Sequence, residues 1–262
     1  FDKRATPGPD YVLNAWNTHA NNPVYALAVS EGDAVVYAGG IFTSMGDTGN
    51  PEVYAQEQKR LAAIHDDRGT NYGKLIDAWT PEADRTVYAL SYTDALALSP
   101  KLLYMGGAFT KIDEQVRPGL AAVNASAGDA DYGSLINWQP GLPAVYYALA
   151  LSDDNDFIFA GGEEADYDGL VACINAGGSP VWTLEADLAV RSLASAPGDV
   201  LYAGGFFNEI KNASNVHTCM HLARIDDSVA NGIVRTDWRP GVNGAVYSLL
   251  PAFHGVYLAA GG

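Results

Sequence analysis

The sequence has few basic residues, and this scarcity limits the partners that the chain can bind. Fifteen Lys and Arg stand against 31 Asp and Glu, which gives a net charge of −16 and a pI near 4.4. Such a charge repels phosphate backbones and anionic lipid surfaces at long range. The composition therefore argues against nucleic-acid binding and against direct membrane insertion.

Long apolar runs and cysteines are also scarce. No apolar run approaches the roughly 20 residues that a membrane-spanning helix requires. Only two cysteines occur, Cys173 and Cys219, which excludes a disulfide-dense scaffold but allows one bridge. The chain does not begin with Met, so we expect a processed product or a piece of a longer protein.

The motifs of the common enzyme classes are missing as well. The sequence contains no P-loop, Rossmann fingerprint, HExxH or GxSxG pattern. It does contain 48% hydrophobic residues, 28 Gly and 13 Pro, which is enough apolar material for a core and enough turn residues to divide it. We therefore predict a folded protein that is not an enzyme and needs no cofactor.

A repeat becomes visible when the tryptophans are aligned. A Leu follows every Trp at an offset of eleven residues, and a Tyr follows four of the five at an offset of nine, with Arg191 at that place in the fourth copy. A fixed offset in five copies indicates an internal repeat. The five tryptophans are Trp16, Trp79, Trp138, Trp182 and Trp238.

Each repeat also contains a Gly pair and four short apolar runs bounded by turn residues, a pattern that is typical of β-strands. With Trp-to-Trp intervals of 63, 59, 44 and 56 residues, four strands per repeat predict an all-β fold, a β-propeller of four-stranded blades. We expect the Trp rings at the blade interfaces and the Gly pairs where a Cβ would not fit. The first four pairs are Gly39 and Gly40, Gly106 and Gly107, Gly161 and Gly162, and Gly204 and Gly205.

The number of copies predicts five blades in one domain spanning 1–262. The last blade would be shared between the two ends, because the run YVLNAW lies at the N-terminus and the runs VYSLL and GVYLAAGG lie at the C-terminus. A blade built from both ends would protect the sheet edges. About twenty residues of that blade are missing by comparison with the other repeats, so a truncated chain is favoured, and a fragment of a six- or seven-bladed ring is the alternative.

The repeat resembles the delta-60 type of β-propeller repeat, a family of extracellular bacterial and archaeal modules. The resemblance covers nearly the whole chain, although the third repeat has neither the GGxFT nor the Trp-x-Pro motif. It implies a secreted or cell-surface multidomain protein with no catalytic signature. The matching residues are Gly39, Gly40, Phe42, Thr43, Arg60, Leu61, Trp79, Pro81 and 87 to 90, with Gly106, Gly107, Phe109, Thr110, Arg117, Trp138 and Pro140 in the next copy.

Three segments carry metal-ligand residue types. The segment HTCMH, 217 to 221, would place two His and one Cys on one face of a strand, but an ordinary strand entry is the favoured interpretation. The acidic segment 152–156 is interpreted as a solvated turn. The segment 163–169 replaces GGxFT in the odd repeat and is the better Ca²⁺ candidate, with Glu163, Glu164, Asp166 and Asp168 as ligands.

Two covalent modifications are considered. Cys173 and Cys219 lie at related places in neighbouring repeats, so a disulfide would form if their Cα atoms came within about 7 Å. Asn124 and Asn212 each begin an N-glycosylation sequon, a tripeptide that also arises by chance.

The leading hypothesis is a non-catalytic structural or interaction module of a secreted or cell-surface protein, a component of an extracellular layer or filament. Protein partners or self-assembly are expected. One alternative is a carbohydrate-binding propeller that uses the loop 17–23. Another is a hydrolase whose carboxylates lie in the loops before the inner strands, namely Glu82, Asp84, Glu185 and Asp187.

Overall fold

We describe a computed structural model of the chain. The described residues are 18–30, 32–46, 56–66, 71–93, 101–166, 168–212, 215–227, 232–252 and 257–262. Within these ranges the chain forms 22 strands and no helix, and hence no helix there could cross a membrane. The strands assemble into five main antiparallel sheets, which we call blades 1 to 5 in chain order, and into two separate short hairpins.

In blade 1 the inner strand is hydrogen-bonded to the second strand, and the second strand is hydrogen-bonded to the third. A single bridge between Ile64 and Leu75 marks the fourth position, and a short hairpin connects the second and third strands. The strands are β1 (Val24–Ser30), β2 (Val35–Gly40), β3 (Ser44–Met45), β4 (Gln56–Glu57) and β5 (Leu61–His65).

Blade 2 repeats this arrangement, with a bridge between Val123 and Leu135 at its fourth position. Its strands are β6 (Val87–Thr93), β7 (Leu102–Gly107), β8 (Lys111–Ile112), β9 (Gln115–Val116) and β10 (Leu120–Asn124). Blade 3 has four full strands: β11 (Val145–Leu151), β12 (Phe157–Glu163), β13 (Gly169–Asn175) and β14 (Pro180–Ala186).

Blade 4 consists of β15, β16, β19 and β20, and its hairpin of β17 and β18 extends the outer edge of blade 3 through β14. Blade 5 has two strands within the described residues, β21 and β22. The strands are β15 (Val190–Ala196), β16 (Val200–Gly205), β17 (Glu209–Lys211), β18 (Val216–Thr218), β19 (Leu222–Asp226), β20 (Ile233–Val234), β21 (Ser248–Ala252) and β22 (Tyr257–Gly261).

The inner strands β1, β6, β11, β15 and β21 contact one another in chain order. Between them the buried side chains form one hydrophobic cluster per blade pair, because alternate residues of the second and third strands face opposite neighbours. Val35 and Tyr37, for example, face blade 2, whereas Val36 and Ala38 belong to a separate cluster on the other side of blade 1.

The tryptophans link one blade to the next. The Trp79 ring packs on Tyr37 of its own blade, with 5.2 Å between centroids, and lies 3.1 Å from the position that a Cβ would take at Gly133 of blade 2. Trp138 and Trp182 contact Gly178 and Gly232 of the following blades in the same way. These three tryptophans thus lie at blade interfaces, and Trp16 lies outside the described residues.

Candidate functional site

One contact is repeated at every interface between neighbouring blades, and we call it the interblade contact. A Cβ built on Gly39 of β2 would lie 2.8 Å from Val87 Cγ1 and 3.3 Å from Leu90, both on the inner strand of blade 2. The glycine thus provides the space into which the next blade inserts a branched side chain. The equivalent sets are Gly106 with Tyr146 and Leu149, Gly161 with Val190 and Leu193, and Gly204 with Val246.

Blade 1 carries the inserting half of this contact on a surface that no blade covers among the described residues. Val24 is 39% exposed and Leu27 is 60% exposed, and Val29 on the same strand is 51% exposed. At the position of Val24, the other blades have side chains of at most 2% exposure: Val87, Tyr146, Val190 and Val246. We call Val24, Leu27 and Val29 the open face of blade 1.

Blade 5 carries the receiving half. No described residue lies within 4 Å of the position that a Cβ would take at Gly261, which corresponds to Gly39 in the repeat. Leu250 is 65% exposed and Ala259 is exposed, whereas Leu249 and Leu258 on the opposite side pack against blade 4. We call Leu250, Ala259 and Gly261 the open face of blade 5.

A column of aromatic rings joins the inner strands. The Tyr25 and Tyr88 ring centroids are 5.5 Å apart, and those of Tyr88 and Tyr147 are 5.1 Å apart. Each of these residues stands at a register shift between the first and second strands of its blade, and a bulge of this kind re-aims a side chain. The sequence predicted strands at these places but not the bulges.

The aromatic column also explains why Glu163 replaces an apolar residue after the Gly pair of the third repeat. Arg191 replaces the fourth Tyr, and its guanidinium carbon lies 3.7 Å from the Tyr147 ring centroid and 5.2 Å from that of Phe206. Glu163 lies 3.9 Å from Arg191 and accepts a 2.8 Å hydrogen bond from the Tyr147 hydroxyl. Burial and this hydrogen bond raise the pKa of Tyr147 to about 12. Arg191 and Glu163 therefore form a charge pair across the interface of blades 3 and 4.

The carboxylates considered for a hydrolase are held in structural contacts. Asp84 accepts hydrogen bonds from the Thr110 and Lys111 amides and from the Thr110 hydroxyl. Asp187 accepts the amides of Asn208 and Glu209, and both carboxylates thereby fix the turn after the second strand. Glu82 pairs with Lys59 at 2.8 Å, and Glu185 pairs with Lys211 at 2.9 Å.

The calcium candidates do not come together in the structure. Glu163 is engaged with Tyr147 and Arg191, while the backbone amide of Glu164 donates to the carbonyl of Asp168. Among the described residues no three His, Cys, Asp or Glu side chains are close enough to hold a metal ion. This also applies to HTCMH, because β18 ends at Thr218 and His221 has a positive φ of 71° in the turn that follows.

The two cysteines are free thiols, so the disulfide considered from the sequence is not formed in this structure. Cys173 is buried in the cluster between blades 3 and 4, where it pairs in register with Trp182. Burial and the nearby Asp227 raise its pKa to about 12. The Cys219 thiol instead donates to the carbonyl of His217 at 3.3 Å.

The two sequons differ in their surroundings. Asn124 is fully buried at the end of β10, where its amide donates to Asp131 at 2.8 Å and accepts from the Ser126 amide. Burial of the Asn124 side chain does not favour a glycan there, and glycosylation of this sequon stays a prediction. Asn212 is half-buried in a turn, and its glycosylation stays a prediction.

Comparisons with protein-family models and with curated proteins find no match. Among solved structures, a chain of a mitotic checkpoint complex matches with a TM-score of 0.54 and 16% identity over 91% of this chain and 74% of that chain. The WD40 repeats of RRP9 match with a TM-score of 0.50 and 15% identity over 91% and 59%. The WD40 β-propeller domain of Doa1 matches with a TM-score of 0.55 and 14% identity over 94% and 64%.

The protein is thus an all-β chain with the fold of a β-propeller, as the repeat predicted. In blades 1 and 2 the second strand ends in Gly-Gly and the inner strand begins with Val-Tyr-Ala-Leu. The chain spans 59–64% of the two WD40 chains it matches here. The number of blades in the complete ring stays a prediction.

Proposed function

We propose that the chain is a non-catalytic interaction module of a secreted or cell-surface protein, and that copies of it associate head to tail in a layer or filament. The observation that carries this proposal is the complementarity of the two open faces. The face of blade 1 presents Val24 and Leu27, exposed by 39% and 60%, and the face of blade 5 presents the vacant space at Gly261.

The same two halves meet four times inside the molecule, at Gly39, Gly106, Gly161 and Gly204. Joining the face of blade 1 of one copy to the face of blade 5 of another would bury the same types of side chain in the same geometry. A contact between two different surfaces of identical chains is heterologous, and it generates rings or open filaments. Exposed apolar faces of this kind mark association sites in soluble proteins.

The extracellular setting rests on the resemblance of the repeat to the delta-60 modules, which includes GGxFT at Gly39 to Thr43 and the Trp-x-Pro motif at Trp79 to Pro81. The high negative charge, −16, is compatible with association through apolar faces, because such contacts require no charge complementarity. The non-catalytic character is supported by the structural engagement of Asp84 and Asp187.

Sedimentation velocity over a wide range of protein concentration tests the proposal. Wild-type protein should associate, and Leu27→Asp should sediment as a monomer because it places a charge at the centre of the apolar contact. Val116→Asp is the matched control, since Val116 is 66% exposed and lies on β9, away from both open faces. A wild type that remains monomeric throughout, or a Leu27→Asp variant that associates as well as the control, would overturn the proposal.

Cysteine crosslinking distinguishes association from closure of the ring within one chain. Leu27→Cys and Gly261→Cys in the same chain should give covalent dimers and larger species under oxidising conditions, because Leu90 and Gly39 meet in the equivalent interblade contact. Quantitative formation of an intrachain bridge in a monomer would instead show that the two open faces close on each other, and head-to-tail association would be wrong.

A further inference from the structure

A cavity of about 460 Å³ lies between blades 3 and 4, remote in sequence from both open faces. Two aromatic rings and four carboxylates contribute to its wall, and none of the described residues that line it is Lys, Arg or His. We call it the acidic cavity. Its principal lining residues are Asp153, Asp154, Asp199, Asp227, Phe157 and Trp182.

At the interface between blades 1 and 2, the corresponding turn carries a carboxylate that is paired with a cation. There Lys101, the residue before the second strand of blade 2, donates to both carboxylate oxygens of Asp33 at 2.7 and 2.8 Å. In blade 4 the residue before the second strand is Asp199. The position that holds the cation Lys101 at the interface of blades 1 and 2 thus holds a carboxylate, Asp199, at the interface of blades 3 and 4.

The acidic cavity contains polar groups whose bonding capacity is unused. Asp227 Oδ1 and Trp182 Nε1 are buried and have no hydrogen-bond partner among the described residues, and Trp79 Nε1, the equivalent tryptophan nitrogen in blade 1, has none either. Burial, with the charges of Asp199 and Asp154, raises the pKa of Asp227 to about 6. A cation in the cavity would offset the mutual repulsion of these carboxylates, because a nearby opposite charge favours their ionised form.

The size and spacing of the site favour an organic cation over a metal ion. No three carboxylates among the described residues are close enough to hold a metal. An ammonium group on an aliphatic chain, by contrast, fits acids that surround a cavity, and its apolar stem suits the aromatic side chains in the wall, Trp182 and Phe157.

We propose that the acidic cavity binds a lysine side chain of a partner protein, in the place that Lys101 occupies between blades 1 and 2. The ammonium group lies among Asp154, Asp199 and Asp227, and its aliphatic stem lies against Trp182. This site goes beyond the head-to-tail association and does not depend on it, because the acidic cavity and the open faces share no residue.

A short oligolysine peptide is the probe, and an oligolysine of the same length acetylated at every Lys Nζ is its control. Wild-type protein should bind the first and not the second in isothermal titration calorimetry, at moderate salt. Asp199→Lys should reduce the affinity at least about tenfold, because its ammonium group occupies the acidic cavity as Lys101 does elsewhere. Asp129→Lys makes the same charge change at an exposed residue outside the cavity and should bind like the wild type.

Equal loss of affinity in Asp199→Lys and Asp129→Lys would reduce the binding to general attraction by an acidic protein and overturn the proposal. Equal binding of the acetylated peptide, or no binding of oligolysine by the wild type, would overturn it too. If Asp199→Lys does not fold, Asp227→Asn removes one charge with little change of shape and should weaken oligolysine binding severalfold. Calcium that binds at this site with no response to oligolysine would also contradict the proposal.

Discussion

Gly39 of blade 1 and Val87 of blade 2 touch across the first blade interface, so closely that a Cβ on Gly39 would lie 2.8 Å from Val87 Cγ1. The contact explains why the repeat retains glycine at this place although no helix or turn requires it. The residue is selected by the neighbouring blade and not by the conformation of its own strand.

Gly39→Ala should therefore destabilise the protein by about 1–3 kcal/mol, because the added methyl group overfills a packed interface. Gly261→Ala, compared at a protein concentration at which the chain is monomeric, is the control at the equivalent place in blade 5, where no described residue lies within 4 Å of the added Cβ. Urea unfolding of the two variants should separate them clearly. Equal destabilisation of the two variants would mean that the interblade contact does not cause the loss of stability in Gly39→Ala.

Asp84 should stabilise the fold in a pH-dependent way. Partial burial opposes its ionisation, but hydrogen bonds from Thr110 and from the Lys111 amide outweigh this and lower its pKa below the ordinary 3.8. The stabilisation is therefore present above pH 3.8 and is lost as the pH falls through the lower pKa of the folded state. Asp84→Ala should cost about 1–2 kcal/mol at neutral pH, and less in acid.

Asn21 is the matched control, because its side-chain oxygen accepts the amides of Thr43 and Ser44 at the same place in blade 1. An amide does not titrate in this range, so Asn21→Ala should be destabilising by a similar amount at neutral and acidic pH. Denaturant unfolding of each variant and of the wild type at both pH values measures the four changes in the free energy of unfolding. A pH-independent loss for Asp84→Ala would contradict the linkage.

Asp227 should affect stability in the opposite direction. Its pKa rises from 3.8 to about 6 in the folded state through burial and the charges of Asp199, Asp154 and Asp226. Folding is therefore penalised progressively as the pH rises from 3.8 to about 6, and the penalty is complete above that range. Asp227→Asn should stabilise the protein by about 1 kcal/mol at neutral pH, after allowance for solvent screening.

Thermal unfolding at neutral pH and near pH 4 measures this gain, which should disappear at the lower value. Asp129→Asn removes a carboxylate from an exposed turn and should leave stability nearly unchanged at both. A gain of the same size at both pH values would show that the side-chain amide acts by packing or hydrogen bonding and not by removing a charge.

Arg191 and Glu163 should be energetically coupled. Arg191→Tyr alone leaves Glu163 without its cation, and Glu163→Ile alone leaves Arg191 without its anion. The double variant restores the residues that blade 1 has at these places, Tyr25 and Ile41. A double-mutant cycle in urea should give a coupling of about 1 kcal/mol. The double variant should be more stable than the sum of the two single changes predicts. Additive effects would mean that Arg191 and Glu163 do not stabilise each other.

Much of the fold could be predicted from the sequence because the same pattern of strands and turns occurs in five copies. The strand runs, the Gly pairs and the interface position of Trp79 all follow from fixed offsets, which report packing that recurs. The turn-fixing role of Asp84 was missed, since its partner Thr110 is 26 residues away. A single aligned column would have indicated it, because Asn21, Asp84 and Asp187 stand three residues before the inner-strand apolar residue.

The acidic cavity and the Arg191 pair could not be predicted in this way, because each departs from the repeat. The segment 152–156 looks like any solvated turn until Asp199 and Asp227 of the next blade are placed beside it. Such groupings depend on which residues of two blades face each other. That juxtaposition is a property of the packed sheets and has no fixed spacing along the chain.

The sequence by itself determined the strands, their repetition and the residues that each interface would use, because local apolar patterning and glycine placement are properties of one segment at a time. Only the tertiary structure decided which copies of the interface are filled. Val87 and Val24 are the same residue in the same pattern, yet Val87 is fully buried and Val24 is 39% exposed. Burial requires a partner surface as well as an apolar side chain, and only the folded arrangement determines where the partner is present.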